Sequence, residues 1–349
     1  QRLAKFEQKL KNKVGVIDGA MGTSIQLLGL NEADFRGEKL VDWPSSVKGN
    51  NDLLNLSKPE AIRQIHRDFL AAGADLIETN TFNATSISQA DYGLQDMAPK
   101  IAKAGAKIAR QVADEWEAKY PGKIALVGGA MGPLSKTLSL SPRVEDPGFR
   151  EVNFEQVSKA YFDQAVAMIP NVDFLFIETI FDTLNAKAAI LACQEAIDKT
   201  KTQVPLIISG TITDGSGRTL SGQTTQAFWV SIAHAKPWAV GLNCALGAQE
   251  MRPHIADLSR IADCRVIAFP NAGLPNAFGE YDETPQTTSD HLSEWATDGL
   301  VNLVGGCCGT TDAHIAAIVN KVQNISPRKI QQQPIALRLS GLEPFVLEA

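Results

Sequence analysis

Two hydrophobic patterns alternate along this chain. Uninterrupted apolar runs, beginning with Val14-Gly15-Val16-Ile17 and Asp75-Leu76-Ile77, recur at 124–127, 174–177, 206–209, 239–242, 266–269 and 301–304. Between them lie longer stretches, 60–72, 96–118, 154–169, 183–199, 224–235, 247–262, 286–298 and 311–323, in which apolar residues return every three or four positions. Continuous runs are the mark of strands buried on both faces, as in a parallel sheet, and the second spacing is that of amphipathic helices. A further amphipathic helix carrying Leu3, Phe6 and Leu10 precedes the first run. Eight strands, each followed by a helix, over about 310 residues predict an α/β fold of the (β/α)8 TIM-barrel type. An open doubly wound sheet is the second choice, but its Gly-x-Gly-x-x-Gly turn is missing, because Asp18-Gly19-Ala20-Met21-Gly22 has the wrong spacing.

Two segments fall outside this rhythm. Leu30 to Pro59, rich in Asn, Asp, Gly and Pro, reads as a long loop with little regular structure that could cover a ligand. Beyond Ser326 come Pro327, three glutamines and Pro334, so residues 1–325 are expected to form a single barrel domain and 326–349 a linker toward further modules of a longer protein.

A net charge of −6 supplies no basic footprint for nucleic acid or an anionic membrane, which makes a small molecule the expected partner. Neither a signal-peptide core nor a run of membrane-spanning length is present, and the expected location is the cytoplasm. Thiols stay reduced there, so five cysteines point to metal ligands or packing residues rather than disulfides.

In a (β/α)8 barrel the C-terminal ends of all strands face one mouth. That rule gathers Asp18, Glu78, Thr79, Asn80, Glu178, Thr179, Asn243, Cys244, Asn271, Cys307 and Cys308. Cys307 and Cys308 are adjacent, a spacing at which a disulfide is strained, and Gly305, Gly306 and Gly309 let the chain bend around a small object. Cys244, remote in sequence but across the same opening, supplies a third sulfur. Three thiolates suit Zn2+ and leave its fourth tetrahedral position open, whereas Mg2+ and Ca2+ prefer oxygen. Such a centre is a weak activator of water but can hold a substrate thiol as its thiolate, so the implied chemistry is alkyl transfer to sulfur. A closed structural zinc site, or buried apolar thiols, are the alternatives.

Asp18 and Glu178 could receive the ammonium of an amino-acid substrate, with Glu78 competing for that role. The backbone N–H groups of Gly19-Ala20-Met21 could receive its carboxylate. Either acid could instead cap the following helix. Asn243 and Thr79-Asn80 are candidates to orient thiolates or substrate. Cys193 and Cys264 read as packing thiols, and the five histidines, all within predicted helices, as packing or surface residues of the outer ring.

Asp18-Gly19-Ala20-Met21-Gly22-Thr23, Glu78-Thr79-Asn80-Thr81-Phe82, Gly241-Leu242-Asn243-Cys244 and Gly305-Gly306-Cys307-Cys308-Gly309 together resemble the homocysteine-binding domain of zinc-dependent homocysteine methyltransferases. More narrowly, Lys48-Gly49-Asn50-Asn51-Asp52-Leu53-Leu54, Asn271-Ala272-Gly273-Leu274-Pro275-Asn276 and Ser340-Gly341-Leu342-Glu343-Pro344 resemble the bacterial cobalamin-dependent methionine synthase family. The resemblance implies that Cys244, Cys307 and Cys308 bind zinc, that homocysteine's sulfur takes the fourth position, and that Asp18 and Glu178 contact its amino group. It also implies cobalamin-binding and folate-binding modules elsewhere in the full chain, with methylcobalamin, regenerated from 5-methyltetrahydrofolate, as methyl donor. The cobalamin motif Asp-x-His-x-x-Gly is not found in these residues. Two alternatives stay open: a stand-alone enzyme using betaine or S-methylmethionine, and a non-catalytic zinc-binding or redox-sensing module.

Overall fold

The computed structural model describes residues 1–348; Ala349, the last residue of the expected linker, lies outside them. Eight parallel strands follow one another around a ring: β1 (Gly15–Val16), β2 (Leu76–Glu78), β3 (Leu126–Met131), β4 (Phe174–Ile180), β5 (Leu206–Gly210), β6 (Ala239–Gly247), β7 (Arg265–Asn271) and β8 (Leu303–Val304). Each pairs with its neighbours in sequence, and β8 returns to β1 through Gly15↔Leu303 and Val16↔Val304. The last seam, between β1 and β2, closes through the bridge Ile17↔Leu76, with Asp18 N donating to Leu76 O and Asp75 N to Val16 O. A helix covers each connection, giving the (β/α)8 barrel that the alternating pattern predicts.

Apolar runs of this kind must bury both faces, and they do. Ile17, Leu76, Leu126, Phe174, Phe176, Ile207, Ile267, Phe269 and Leu303 fill the barrel interior, while a second, larger cluster lies between sheet and helices. The N-terminal helix Arg2–Lys9 closes the floor of the barrel, where Phe6 and Leu10 join the inner cluster beside Trp238. With the floor filled, access to the interior is from the other end, where the strands finish.

Residues 30–59 are more ordered than the sequence suggests. They hold the helix Glu32–Arg36, closed by an Asn31/Asp34 capping box, a 3-10 turn Asn51–Leu53 and the helix Leu54–Ser57. The Glu32 carboxylate gathers the segment, accepting from Ser46 Oγ, Val47 N, Lys48 N and Arg36 Nε. Phe35, Leu40, Val47, Leu53 and Leu54 are buried, but their irregular spacing matches no helix or strand period.

The C-terminal segment also gains structure. Arg328 is buried and donates to the carbonyls of Ser259, Ala262 and Cys264, satisfying the end of the helix Ala248–Ile261. Then β9 (Ala336–Ser340) and β10 (Pro344–Glu348) form an antiparallel hairpin. It docks on the helix Thr225–Ile232 through Ser340 Oγ, which lies 2.8 Å from Ala227 O and 3.0 Å from Ser231 Oγ. No helix among the described residues is long and apolar enough to cross a membrane.

Candidate metal centre and substrate cavity

Two irregular strands shape the mouth. The register of β4 against β5 shifts between Ile177 and Ile180, and that of β6 against β7 between Asn243 and Gly247. Thr179 (φ 56°), Cys244 (φ 61°) and Ala245 (φ 59°) adopt the left-handed backbone conformation at these bulges. Such geometry is uncommon for residues with a Cβ and persists where surrounding contacts enforce it. The enforcing group is Asn243, fully buried: its Oδ1 accepts from Thr179 N (3.0 Å) and Ser209 Oγ (2.7 Å), and its Nδ2 donates to Thr179 Oγ1 (2.7 Å). The same Nδ2 lies 3.9 Å from Cys307 Sγ, so one amide connects strands β4, β5 and β6 with the cysteine turn.

That turn is clamped on three sides. Cys307 N donates to Pro270 O (2.8 Å), Ala272 N to Cys308 O (2.9 Å), and Gly309 N to Thr23 Oγ1 (2.9 Å). Gly305 and Gly306 are required by close approach, since a Cβ on the first would collide with Ile17 and on the second with Thr310. As a result the Sγ atoms of Cys244, Cys307 and Cys308 all lie within 4.8 Å of one another, with Cys244 and Cys308 3.8 Å apart. Tetrahedral zinc with bonds of about 2.3 Å separates its sulfurs by about 3.8 Å. No other His, Cys, Asp or Glu among the described residues joins the cluster, so the donor set fits a thiophilic ion with one position left over. Cys193 is buried against Met131 and Cys264 lies beside Arg328, both away from the cluster.

The three sulfurs share charge unequally. Cys308 is held well below the ordinary thiol range by the S–H groups of Cys244 and Cys307, with help from the Tyr281 hydroxyl. Cys244 is pushed up to about 12: the S–H of Cys307 favours its thiolate, but Cys308 and burial outweigh it. Cys307 goes up through its contacts with Cys244 and Cys308. Crowding of the three sulfurs opposes ionising all of them together, so binding an ion to all three as thiolates must release protons.

Three carboxyl groups share the cavity with the sulfurs. Asp18, Glu78 and Glu178 all line it, Asp18 3% and Glu178 5% exposed. Asp18 Oδ2 accepts from Glu78 N at 2.9 Å. Burial raises all three; the charge of Glu78 adds to this at Asp18 and Glu178, and a hydrogen bond from Glu178 restrains Glu78 to about 7. No cation among the described residues contributes at any of them. Neither Asp18 nor Glu178 caps a helix, because the helix Met21–Leu27 starts at Ala20 without a side-chain cap and Asp182 caps Thr183–Thr200. Buried acids lacking a partner of opposite charge form a receptor for one.

The cavity has a volume of about 890 Å³ and reaches from the cysteines to Gly19 and Ala20, and on to Asn51 and Asp52 from the 30–59 segment. The Ala20 N–H already donates to Thr310 Oγ1 (3.2 Å), leaving less of the Gly19-Ala20-Met21 turn for a carboxylate than the sequence suggests. Thr79 lines the cavity, but its hydroxyl is taken by Ala130 N and Thr81 Oγ1.

Tyr281 and His314 are among the lining residues that escape a search of strand ends. Tyr281 lies on the 273–283 loop. His314, expected on the outer ring, is buried beside the cavity, its Nδ1 against Thr311 and its Nε2 2.9 Å from Glu283 O. The sequence offers no signal for Tyr281 beyond the turn-forming Gly279 before it.

Comparison with solved structures finds the same architecture in the homocysteine methyltransferase MmuM of Escherichia coli. Its oxidized form matches with a TM-score of 0.70 at 22% identity, covering 92% of this chain and 99% of that one. The metallated form gives 0.68 at 23%, covering 91% and 99%, and the apo form 0.64 at 22%, covering 92% and 100%. Independently, residues 15–322 match the family model for homocysteine S-methyltransferase, a span that holds the whole barrel with its cysteine cluster and acids. The chain belongs to the homocysteine S-methyltransferase family.

Proposed function

We propose that this chain is the homocysteine-binding barrel of a cobalamin-dependent methionine synthase, a methyltransferase module of the reducing cytoplasm. Its single carrying observation is one cavity that joins three sulfurs spaced for zinc to two buried acids, Asp18 and Glu178, with Glu78 beside them and no cation among the described residues paired to any. A thiol and an ammonium on one small molecule answer both halves, and homocysteine has both.

In this reading Cys244, Cys307 and Cys308 hold Zn2+, which when bound lowers the pKa of the substrate thiol and keeps it as a thiolate. Asp18 and Glu178 receive the substrate ammonium, with Glu78 behind them, and the Gly19–Ala20 turn lies on the side left for the carboxylate. Asn243 holds the cysteine turn against the strands, fixing where the substrate sulfur must sit. The sulfur then attacks a methyl carbon; the S–C bond forms as the bond from carbon to the donor breaks, and the donor leaves with that electron pair. The cavity is far larger than one small amino acid, and its remaining space suits the approach of a second reactant.

Methylcobalamin, regenerated from 5-methyltetrahydrofolate by further modules, is the proposed donor, with residues 326–349 leading toward those modules. The hairpin supports this choice. Its polar Ser340 faces the barrel, while the cross-strand pairs Leu337↔Leu347 and Leu339↔Phe345 are each more than half exposed. A contiguous outward apolar face is the kind of surface that another protein unit covers.

A second reading, a self-contained enzyme taking betaine or S-methylmethionine, fits the homocysteine S-methyltransferase family equally. A donor panel separates the two. The zinc-loaded chain should make methionine from homocysteine with methylcobalamin; turnover with betaine or S-methylmethionine and none with methylcobalamin would reverse the choice.

A further inference from the structure

We propose that Asp52 is the anchor for the second reactant: a carboxyl fixed in the cavity wall, apart from the sulfurs, that accepts an N–H group of the incoming methyl donor. The proposal rests on the function proposed above and names what the space beyond the homocysteine site recognises.

Asp52 belongs to a segment tied down on both sides. Asn50 and Gln89 exchange hydrogen bonds, Asn50 Nδ2 donating to Gln89 Oε1 (2.8 Å) and Gln89 Nε2 to Asn50 Oδ1 (3.1 Å). Asn80 Nδ2 donates to Asn51 O (2.8 Å) and to Asn55 Oδ1 (3.1 Å), and Asn55 Nδ2 donates back to Asn80 O (2.6 Å). These contacts fasten the turn Asn51–Leu53 to the chain that follows β2, and they hold the Asp52 carboxyl in the wall.

The side chains of that network are neutral amides, and the carboxyl among them is the odd member. Asp52 is buried and lines the cavity, yet its stabilising contacts are the peptide N–H groups of Asn83, 3.0 Å from Oδ1, and of Asp52 itself, with no cation beside them. A carboxylate can accept about four hydrogen bonds. An asparagine would accept the Asn83 N–H equally well without burying a charge, so holding this loop does not require an acid. Burial raises Asp52 to about 7, and an N–H group arriving from the cavity would offset that cost.

The charge of the wall narrows what can arrive. Asp18, Asp52, Glu78, Glu178, Glu280 and Asp282 line the cavity, and no Lys or Arg among the described residues does. His314 has both ring nitrogens engaged, with Thr311 and with Glu283 O. Such a wall repels an anionic reactant and admits a neutral or cationic one. With Asp18 and Glu178 given to the homocysteine ammonium, Asp52 is left for the donor. Methylcobalamin meets it with the primary amides around its corrin ring, and S-methylmethionine with its ammonium. Betaine has no N–H group, and 5-methyltetrahydrofolate carries carboxylates.

The test compares wild type with Asp52→Asn, which keeps the shape and the acceptor for Asn83 N. Equilibrium dialysis of the zinc-loaded chain, without homocysteine, measures affinity for methylcobalamin and for S-methylmethionine separately. Kd for the donor that wild type binds should rise about ten-fold in the variant, and its KM in turnover likewise, with homocysteine affinity and melting temperature unchanged. Should the variant fail to fold, the ligand carries the test. Methylcobalamin with one peripheral amide hydrolysed to the carboxylate, for at least one position on the ring, or an S-methylmethionine analogue lacking the ammonium, should bind wild type about ten-fold more weakly than its parent. Unchanged donor affinity in a folded variant, an equal loss of homocysteine affinity, or a wild-type chain that binds neither donor overturns the proposal. Failure of the parent reading looks different: wild type would bind S-methylmethionine and not methylcobalamin, and Asp52 would be judged on S-methylmethionine.

Discussion

Asn243 and Thr179 grip each other across the barrel mouth: the amide oxygen accepts the Thr179 N–H at 3.0 Å and the amide nitrogen donates to the Thr179 hydroxyl at 2.7 Å. This pair holds two bulged strands in a left-handed backbone conformation and leaves Cys244 beside the Cys307-Cys308 turn. Replacing Asn243 with Ala removes every one of these contacts at a buried position. The expected cost is about 1–3 kcal/mol of stability and a 10- to 100-fold loss of zinc affinity. Thermal melts and competition with a chelator read the two effects separately; unchanged zinc affinity would mean that the cysteines hold their geometry unaided.

Cys308→Ser should abolish stoichiometric zinc binding while the metal-free melting temperature stays within a few degrees of wild type, because the turn lies at the mouth and not in the packed interior. Metal analysis after dialysis, paired with circular dichroism, checks both halves. Global unfolding of this variant would point to a structural zinc.

Asp18→Asn should weaken homocysteine binding by at least ten-fold and leave zinc content unchanged, since Asp18 lies in the acid cluster and not among the sulfurs. Isothermal titration on the zinc-loaded protein measures it. Equal affinity in the variant would remove Asp18 from the substrate's contacts.

Glu78 gives a pH dependence with a definite sign. Burial raises it from the ordinary glutamate range to about 7, so between about pH 4.5 and 7 the folded chain keeps a proton that the unfolded chain has released. The contribution of Glu78 to the stability of the substrate-free protein should therefore fall as pH rises through that window, by a few kcal/mol, and level off above it, while Asp18 and Glu178, also raised, add declines of their own. Glu78→Gln should flatten the decline. Parallel melts from pH 5 to 8 decide; equal slopes in the two proteins would remove Glu78 as the cause.

The barrel was legible because its strands are uninterrupted apolar runs and its helices keep their period, and knowledge of the fold alone carried Cys244 to Cys307 and Cys308. What stayed hidden has local physical causes. The bulges at Thr179 and Cys244 place non-glycine residues at positive φ, held where Asn243 of one bulged strand bonds Thr179 of the other, a long-range contact absent from local propensity. The 30–59 segment folds around the single carboxylate of Glu32, with apolar anchors too irregular to show a period. The C-terminal hairpin hides for the opposite reason, because its apolar residues face outward and its polar Ser340 faces the helix. Tyr281 lines the cavity from a loop, where no strand-end rule looks.

X-ray absorption at the zinc edge tests the central claim most directly, by counting sulfur neighbours with and without homocysteine. The proposed function predicts three protein sulfurs in the free protein, and four sulfurs once homocysteine is added. A sulfur count that does not change on adding homocysteine would contradict it.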